Sequence, residues 1–273
     1  MAFLPILLLA IIQGVTEFLP ISSSGHLLIA AEIMNIPESL MLDVSLHLGS
    51  LLAVIIYFRK DIKVLIFLLL PFSIKLDKDE KNLAFCLIVG TLPIVIVGGL
   101  LFLTGYADIL RNIKIVGLAT IVFGLLLYYS DSYINASTKS IDRLSIKNAL
   151  IIGLFQVLAI IPGASRAGVV YSGSRIIGLN RIEAAKLSIL LSIPVILISS
   201  AIPILKLIEA PTSANIYSSF FGFLISFFAA YISIDYLLKW LKKNTMKPFV
   251  IYRIVIGTPV SYTHLTLPTK RIV

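Results

Sequence analysis

The chain has 273 residues, 58% of them hydrophobic and only 14% charged, with a formal net charge of +9 and a mean hydropathy of +1.01. Soluble domains carry about 25% charged residues, so a single soluble core is excluded and a chain solvated by lipid is expected, with its basic residues clustered between apolar runs for membrane orientation rather than for nucleic acid. Lipid admits only helices and closed barrels; barrels show short alternating strands, whereas the apolar runs here are long and unbroken, so the expected fold is an all-α, polytopic membrane protein.

The first apolar stretch, Phe3–Met34, has no Lys or Arg before Arg59 and so reads as a retained segment rather than a cleaved leader. It is interrupted by Pro20-Ile21-Ser22-Ser23-Ser24-Gly25. Proline cannot continue a helix, and serine competes with helical hydrogen bonding, so two half-helices with a short turn are expected. Leu42–Phe58 follows as a span. Val64–Pro71 is too short to cross and carries charges on both sides, which reads as an interfacial helix or a hairpin arm. Leu83–Leu103 and Ile113–Tyr129 approach the ~20 residues that a spanning helix needs; the first holds the single cysteine, Cys86, which excludes an intrachain disulfide. Ile146–Ile177 is broken by Pro162-Gly163-Ala164-Ser165-Arg166-Ala167-Gly168. Ile182–Leu205 and Ile216–Leu238 are further spans, and a last one begins at Pro248 and stops early.

Basic residues set the orientation. Loops with Arg59, Lys60, Lys63, Lys75, Lys78 and Lys81, with Lys139, Arg143 and Lys147, and with Lys239, Lys242, Lys243 and Lys247 are expected in the cytoplasm; Asn35–Leu40 has none, and the loops near Arg111 and Lys206 have few. Counting spans from there, the first broken stretch enters and returns from outside and the second from inside, each as a re-entrant hairpin. The two breaks share a pattern. Gln13 precedes Pro20, which lies three residues before Ser23; Gln156 precedes Pro162, three before Ser165; both turns end in glycine, at Gly25 and Gly168. Together with the opposite entry sides this predicts two inverted-topology repeats, about residues 1–130 and about 145–257 of a single membrane domain at 1–257, with the working site between the halves near mid-membrane. Two unrelated Pro-Ser-Gly turns are the bland alternative.

The breaks carry the polar groups. Gln13 and Glu17, four apart, share a helical face, and so do Ser23 and His26, three apart at the start of the second half-helix. Hydroxyl, imidazole and carboxylate can therefore converge. An intramembrane acid costs about 2.5 kcal/mol or more and has to face a partner or water. The structural alternatives are a helix-to-helix tie at Glu17 and a core imidazole at His26; the serines and the helix start beside them favour function. His47, inside an apolar helix, reads as structural, and His264 lies in the C-terminal tail. Ser165 and Arg166 precede the second half-helix. Free N–H groups and the dipole at a helix start suit phosphate, Gly163 and Gly168 permit close backbone approach, and Arg166 matches phosphate oxygens bidentately. An Arg166–Glu17 pair alone is the structural alternative. Metal-ligand spacings of Cys and His, a Walker loop and a nucleotide-binding strand-turn-helix are all absent from the sequence.

These motifs resemble the bacitracin-resistance type of undecaprenyl-diphosphatase. That family carries a Glu-or-Gln, three residues, Glu motif running into Pro-x-Ser-Ser-x-Gly-His, then Pro-Gly-x-Ser-Arg-x-Gly; they stand here at Gln13 to Glu17, Pro20 to His26 and Pro162 to Gly168. The likeness extends to Asp43–Ser50, Gly90–Pro93 and Leu187–Pro194 and covers nearly the whole chain to Gly257. It implies hydrolysis of a polyprenyl diphosphate to the monophosphate and inorganic phosphate at the outer face of a bacterial plasma membrane. That reaction recycles the lipid carrier of peptidoglycan synthesis and underlies bacitracin resistance. Under this reading Arg166, Ser165 and the half-helix amides around Ser22, Ser24, Gly25 and Gly163 hold the phosphates. Ser23 is the candidate nucleophile and His26 the candidate general base and later acid. Glu17 either orients His26 or binds a divalent cation, Mg²⁺, with Gln13 as a neutral ligand; glutamine in place of the family's glutamate takes one anionic ligand from that site. Direct attack by water activated at His26 or Glu17 stays open, as does a homodimer. The rival reading is a secondary transporter that flips a polyprenyl phosphate, since broken helices and helix-end anion sites also belong to carriers; a structural or assembly protein ranks last.

After Gly257 the family continues as an apolar helix, whereas this chain reads Thr258-Pro259-Val260-Ser261-Tyr262-Thr263-His264-Leu265-Thr266-Leu267-Pro268-Thr269-Lys270. Residues 258–273 are therefore expected to be a non-native tail, with a native extracellular tail as the alternative; either is too polar to complete a span and should leave a groove in the bundle that lowers stability.

Overall fold

The computed structural model describes residues 3–36, 39–61, 64, 77–105, 113–133, 140–141, 144–209 and 216–266. Among these residues every regular element is helical, with ten α-helices. The expected arm at Val64–Pro71 lies, apart from Val64, outside the described residues, as do Lys63, Lys75, Arg111, Lys139, Arg143 and the tail from 267.

The helices are α1 (Phe3–Thr16), α2 (Ser23–Ile33), α3 (Leu40–Tyr57), α4 (Lys78–Thr104) and α5 (Ile113–Ser132), then α6 (Ile146–Val157), α7 (Arg166–Ile176), α8 (Arg181–Glu209), α9 (Ile216–Leu241) and α10 (Lys247–Thr266). Five are long and apolar enough to cross a membrane: Leu40–Tyr57, Lys78–Thr104, Ile115–Ser132, Arg181–Leu205 and Ile216–Leu241. They coincide with the five spans read from the sequence. Starts outside the apolar runs are fixed by caps: Asp77 and Glu80 form a reciprocal capping box at α4, and Ser145 Oγ accepts from the Asn148 N–H at α6.

Both expected breaks are present, and the first opens earlier than expected. An α-helix running to Pro20 would leave the Thr16 carbonyl without its donor, and α1 stops at Thr16. In the second, Pro162 would likewise orphan the Leu158 carbonyl; α6 ends at Val157 and tightens into a 3-10 turn at Leu158–Ile160.

The packing has an exchange pattern. Half-helix α1 of the first five helices packs on α9 of the second five, and half-helix α6 of the second packs on α4 of the first. Helices α5 and α10 pack on each other, α3 packs on α9, and α4 packs on α8. The interior seams are polar as well as apolar: Ser226 Oγ donates to the Leu46 carbonyl at 2.7 Å, and Ser233 Oγ to the Val15 carbonyl at 2.9 Å. Hydroxyl bonds of this kind join helices where lipid offers no hydrophobic drive. Large apolar side chains such as Leu92, Ile96, Leu100, Phe220, Phe228 and Ile232 point outward, as a lipid-facing surface requires. The backbone of α10 stays helical past Pro259 to Thr266, but its composition keeps it out of the set of spans. Where it lies on α5 it brings Ser261 against Gly117, with the Ser261 hydroxyl buried and without a hydrogen-bond partner.

Candidate active site

The two breaks meet inside the bundle. Ser22 caps α2 and Ser165 caps α7, and both serines hold the left-handed backbone rare outside glycine, with φ 73° and φ 69°. Each side-chain oxygen accepts from an amide three residues on: Gly25 N–H to Ser22 Oγ at 3.4 Å and Gly168 N–H to Ser165 Oγ at 3.2 Å. The structural equivalent of Ser165 is thus Ser22, not Ser23 as the proline spacing suggested. On this register Gln13 and Gln156 both lie nine residues before their caps, and Ser23 corresponds to Arg166. With the Gly25 and Gly168 amides used by caps, the N–H groups of Ser23, Ser24, Arg166 and Ala167 remain as donors at the two helix starts. The glycines serve packing: a side chain on Gly25 would press on Val116, one on Gly168 would meet Arg253 Nη1 at 3.1 Å, and one on Gly163, itself at φ 92°, would strike the Val116 carbonyl.

At the centre is Glu17. Its Oε2 accepts from Ser23 Oγ at 2.6 Å and from Gln13 Nε2 at 3.0 Å, and its Oε1 accepts from Arg166 Nη2 at 3.1 Å. The carboxylate and guanidinium are both nearly buried, at 7% and 11% side-chain exposure, so the pair neutralises what would otherwise be two costly charges. Arg166 Nη1 donates to the Ser188 carbonyl at 3.2 Å, which anchors the guanidinium on α8. Ser23 is partly exposed and Ser24 exposed. A serine hydroxyl donating to a carboxylate can lose its proton as its oxygen attacks, and the adjoining guanidinium can hold phosphate oxygens.

His26 is not on Ser23. Its Nδ1 lies 2.7 Å from the Ser22 carbonyl and its Nε2 lies 2.7 Å from the Tyr252 hydroxyl. Sequence reasoning passed over Tyr252 and its neighbour Arg253. Arg253 has no exposed surface and donates to four carbonyls: Thr120 at 3.0 Å, Pro20 at 3.0 Å, Gly163 at 2.9 Å and Ala164 at 3.1 Å. It therefore ties both turns to α5 and α10. The available signal was an arginine within an apolar helix, which is expensive there without a task. A second unforeseen hub is Asp131, which accepts from Tyr171 Oη and Arg181 Nε at 2.7 Å each and from the Met246 amide at 2.9 Å, fixing α5 to α7, α8 and α10. His47 Nδ1 donates to the Asp43 carbonyl at 2.8 Å.

A divalent cation can be tested against these donors. A carboxylate offers about four acceptor positions, and three on Glu17 are taken. Gln13 Oε1 is buried and without a partner, a hard oxygen of the type Mg²⁺ prefers. One carboxylate position and one amide oxygen therefore fit a cation that draws its other ligands from phosphate and water. Among the described residues three or more His, Cys, Asp or Glu do not gather at any point.

Over residues 6–259 the chain matches the family described as bacitracin resistance protein BacA. It belongs to that family. Relatives named undecaprenyl-diphosphatase include that of Alteromonas mediterranea, 44% identical over 261 residues that cover 94% of this chain and 97% of that protein. Those of Hahella chejuensis, 43% identical with 94% and 96% covered, and Saccharophagus degradans, 42% identical with 91% and 93% covered, are alike throughout. The resemblance carried by the two turns is borne out, and family and spans together make this a multi-pass membrane protein. The family match stops at residue 259, where the sequence turns polar.

Proposed function

We propose that the chain is an undecaprenyl-diphosphate phosphatase, which releases undecaprenyl phosphate and inorganic phosphate and so returns the lipid carrier to peptidoglycan synthesis and raises tolerance to bacitracin. The observation that carries the reading is the Ser23 hydroxyl held 2.6 Å from the Glu17 carboxylate, with Arg166 on the other carboxylate oxygen. A carrier of lipid phosphates needs binding groups and has no use for a serine poised on a base.

The lipid chain stays in the bilayer while the diphosphate enters the cleft between the two turns. Arg166, Ser165 and the amides of Ser24 and Ala167 hold the phosphate oxygens and stabilise charge on the transferring phosphoryl group. Ser23 Oγ attacks the terminal phosphorus, its proton passes to Glu17, and the bridging P–O bond breaks to release undecaprenyl phosphate. Water then attacks the phosphoserine, gives its proton to His26, and Glu17 returns a proton to Ser23 as inorganic phosphate leaves. Because Glu17 holds Ser23 and His26 does not, Glu17 is the base of the first step and His26 of the second. A Mg²⁺ ion, if held by Glu17 and Gln13, would supply charge neutralisation for the diphosphate. Chelation should then depress turnover and added Mg²⁺ restore it; turnover indifferent to chelation would remove the metal from the scheme.

The two broken helices read as re-entrant hairpins of an inverted repeat, the first opening to the extracytoplasmic side of the plasma membrane. The shared Gln-to-cap spacing, the paired left-handed serines and the exchanged packing of α1 on α9 and α6 on α4 support it. The function is tested by phosphate release from undecaprenyl diphosphate in proteoliposomes. Wild type should release phosphate and Arg166→Ala should not, with the fold intact by melting; an inert, folded wild type would sink the proposal.

A further inference from the structure

The His26 ring has both nitrogens engaged, and the partners fix its chemistry. A carbonyl oxygen only accepts, so the contact of Nδ1 with the Ser22 carbonyl at 2.7 Å requires the hydrogen on Nδ1. In the neutral ring Nε2 is then the lone-pair nitrogen, and the Tyr252 hydroxyl 2.7 Å away donates to it. The two rings lie nearly parallel, 9° apart, with centroids 5.6 Å from each other. Tyr252 is 39% exposed, so the hydrogen bond to Nε2 is open to solvent. Its backbone is immobilised by the next residue, since Arg253 is bound to the carbonyls of both turns. A phenol 226 residues away in the chain is thus delivered to the one nitrogen of His26 that can take a proton.

We propose that Tyr252 is the proton relay of His26: it donates to Nε2 of an imidazole that the Ser22 carbonyl holds in the Nδ1–H form, and it passes protons to that nitrogen. The inference rests on the phosphatase reading above. In the second half-reaction the proton of the attacking water moves to the Tyr252 oxygen as the phenolic hydrogen moves to His26 Nε2. The O–P bond to water forms, the Ser23 O–P bond breaks, and Tyr252 ends neutral with the positive charge on the imidazole. The site is then divided into two proton-handling pairs, Ser23 with Glu17 and His26 with Tyr252, one for each half-reaction.

Tyr252→Phe keeps the ring and removes the hydroxyl. Its kcat for phosphate release should fall about ten- to a hundredfold, the effect of losing one hydrogen bond to a group that becomes charged, with KM little changed. Combined with His26→Asn it should add no further loss. Nitrogen-15 spectra of histidine-labelled protein in micelles should show the Nδ1–H form of His26 in the wild type, with an Nε2 resonance shifted by the Tyr252 hydrogen bond, and that shift should be lost in Tyr252→Phe. Wild-type kcat in Tyr252→Phe, losses that multiply with those of His26→Asn, or an Nε2–H ring in the wild type would each overturn the assignment. A wild type that releases no phosphate would instead remove the phosphatase reading, while the spectra would still judge the His26–Tyr252 bond.

Discussion

Glu17 shows how a membrane-buried acid is made useful. Alone it would be expelled or neutralised, but Arg166 balances its charge, and Gln13 and Ser23 fill its second oxygen. The same contacts rank the serines. Ser22 spends its oxygen capping α2, Ser24 is exposed within 3.4 Å of Ser22 Oγ, and only Ser23 donates to the acid. Ser23→Ala should therefore abolish phosphate release without altering melting. Ser22→Ala should retain turnover but lose about 1 kcal/mol of stability, the ordinary worth of an N-cap. Rapid quench with substrate labelled in its terminal phosphate should trap label on Ser23. Label on Ser22, or none at all, would respectively move the nucleophile or replace it by water. Three consecutive serines look alike in a sequence. Only the backbone, which turns left-handed at Ser22, tells the cap from the nucleophile, and that is why proline spacing pointed one residue away.

At the scale of elements, the half-helices depend on Arg253. Its guanidinium holds the carbonyls of Pro20, Gly163 and Ala164, oxygens that the breaks leave outside the helical ladder, and that of Thr120 within α5. Replacing it by methionine fills similar volume but orphans the Pro20 and Ala164 acceptors at about 1–3 kcal/mol each where no water enters, and leaves Gly163 only the Thr120 hydroxyl at 3.4 Å. Arg253→Met should consequently lower the melting temperature in detergent and lose phosphate release together, and Arg253→Lys should recover only part, since one ammonium cannot span the fork. Activity lost at wild-type melting would mean that Arg253 acts on substrate instead of on the turns. The five spans and both breaks were legible because hydropathy and proline act locally. Arg253, Tyr252 and Asp131 were not, because their roles exist only once α5 and α10 lie beside the turns. The polar residues at α10's far end also drew attention away from an arginine buried in its middle.

At the scale of the whole molecule, the exchange of partners between the halves is what an inverted repeat requires. In such a repeat each half-helix is completed by a span of the other half, as α1 is by α9 and α6 by α4, and the two turns would reach the middle of the bundle from opposite faces. The proposed sidedness rests on charge. The first hairpin ends near Asn35 in a stretch without basic residues, and the second begins beside Lys147; both residues are exposed, while Cys86 is buried. With Cys86 replaced by alanine, Asn35→Cys should react with a membrane-impermeant maleimide on intact cells. Lys147→Cys should react only after the membrane is opened. Labelling of both from the same side would overturn the inverted arrangement, and with it the argument that the lipid diphosphate enters from outside. Labelling of Lys147→Cys alone on intact cells would keep the repeat but reverse its orientation, placing the Ser23–Glu17 cleft toward the cytoplasm, where the positive-inside bias of the loops says it does not belong.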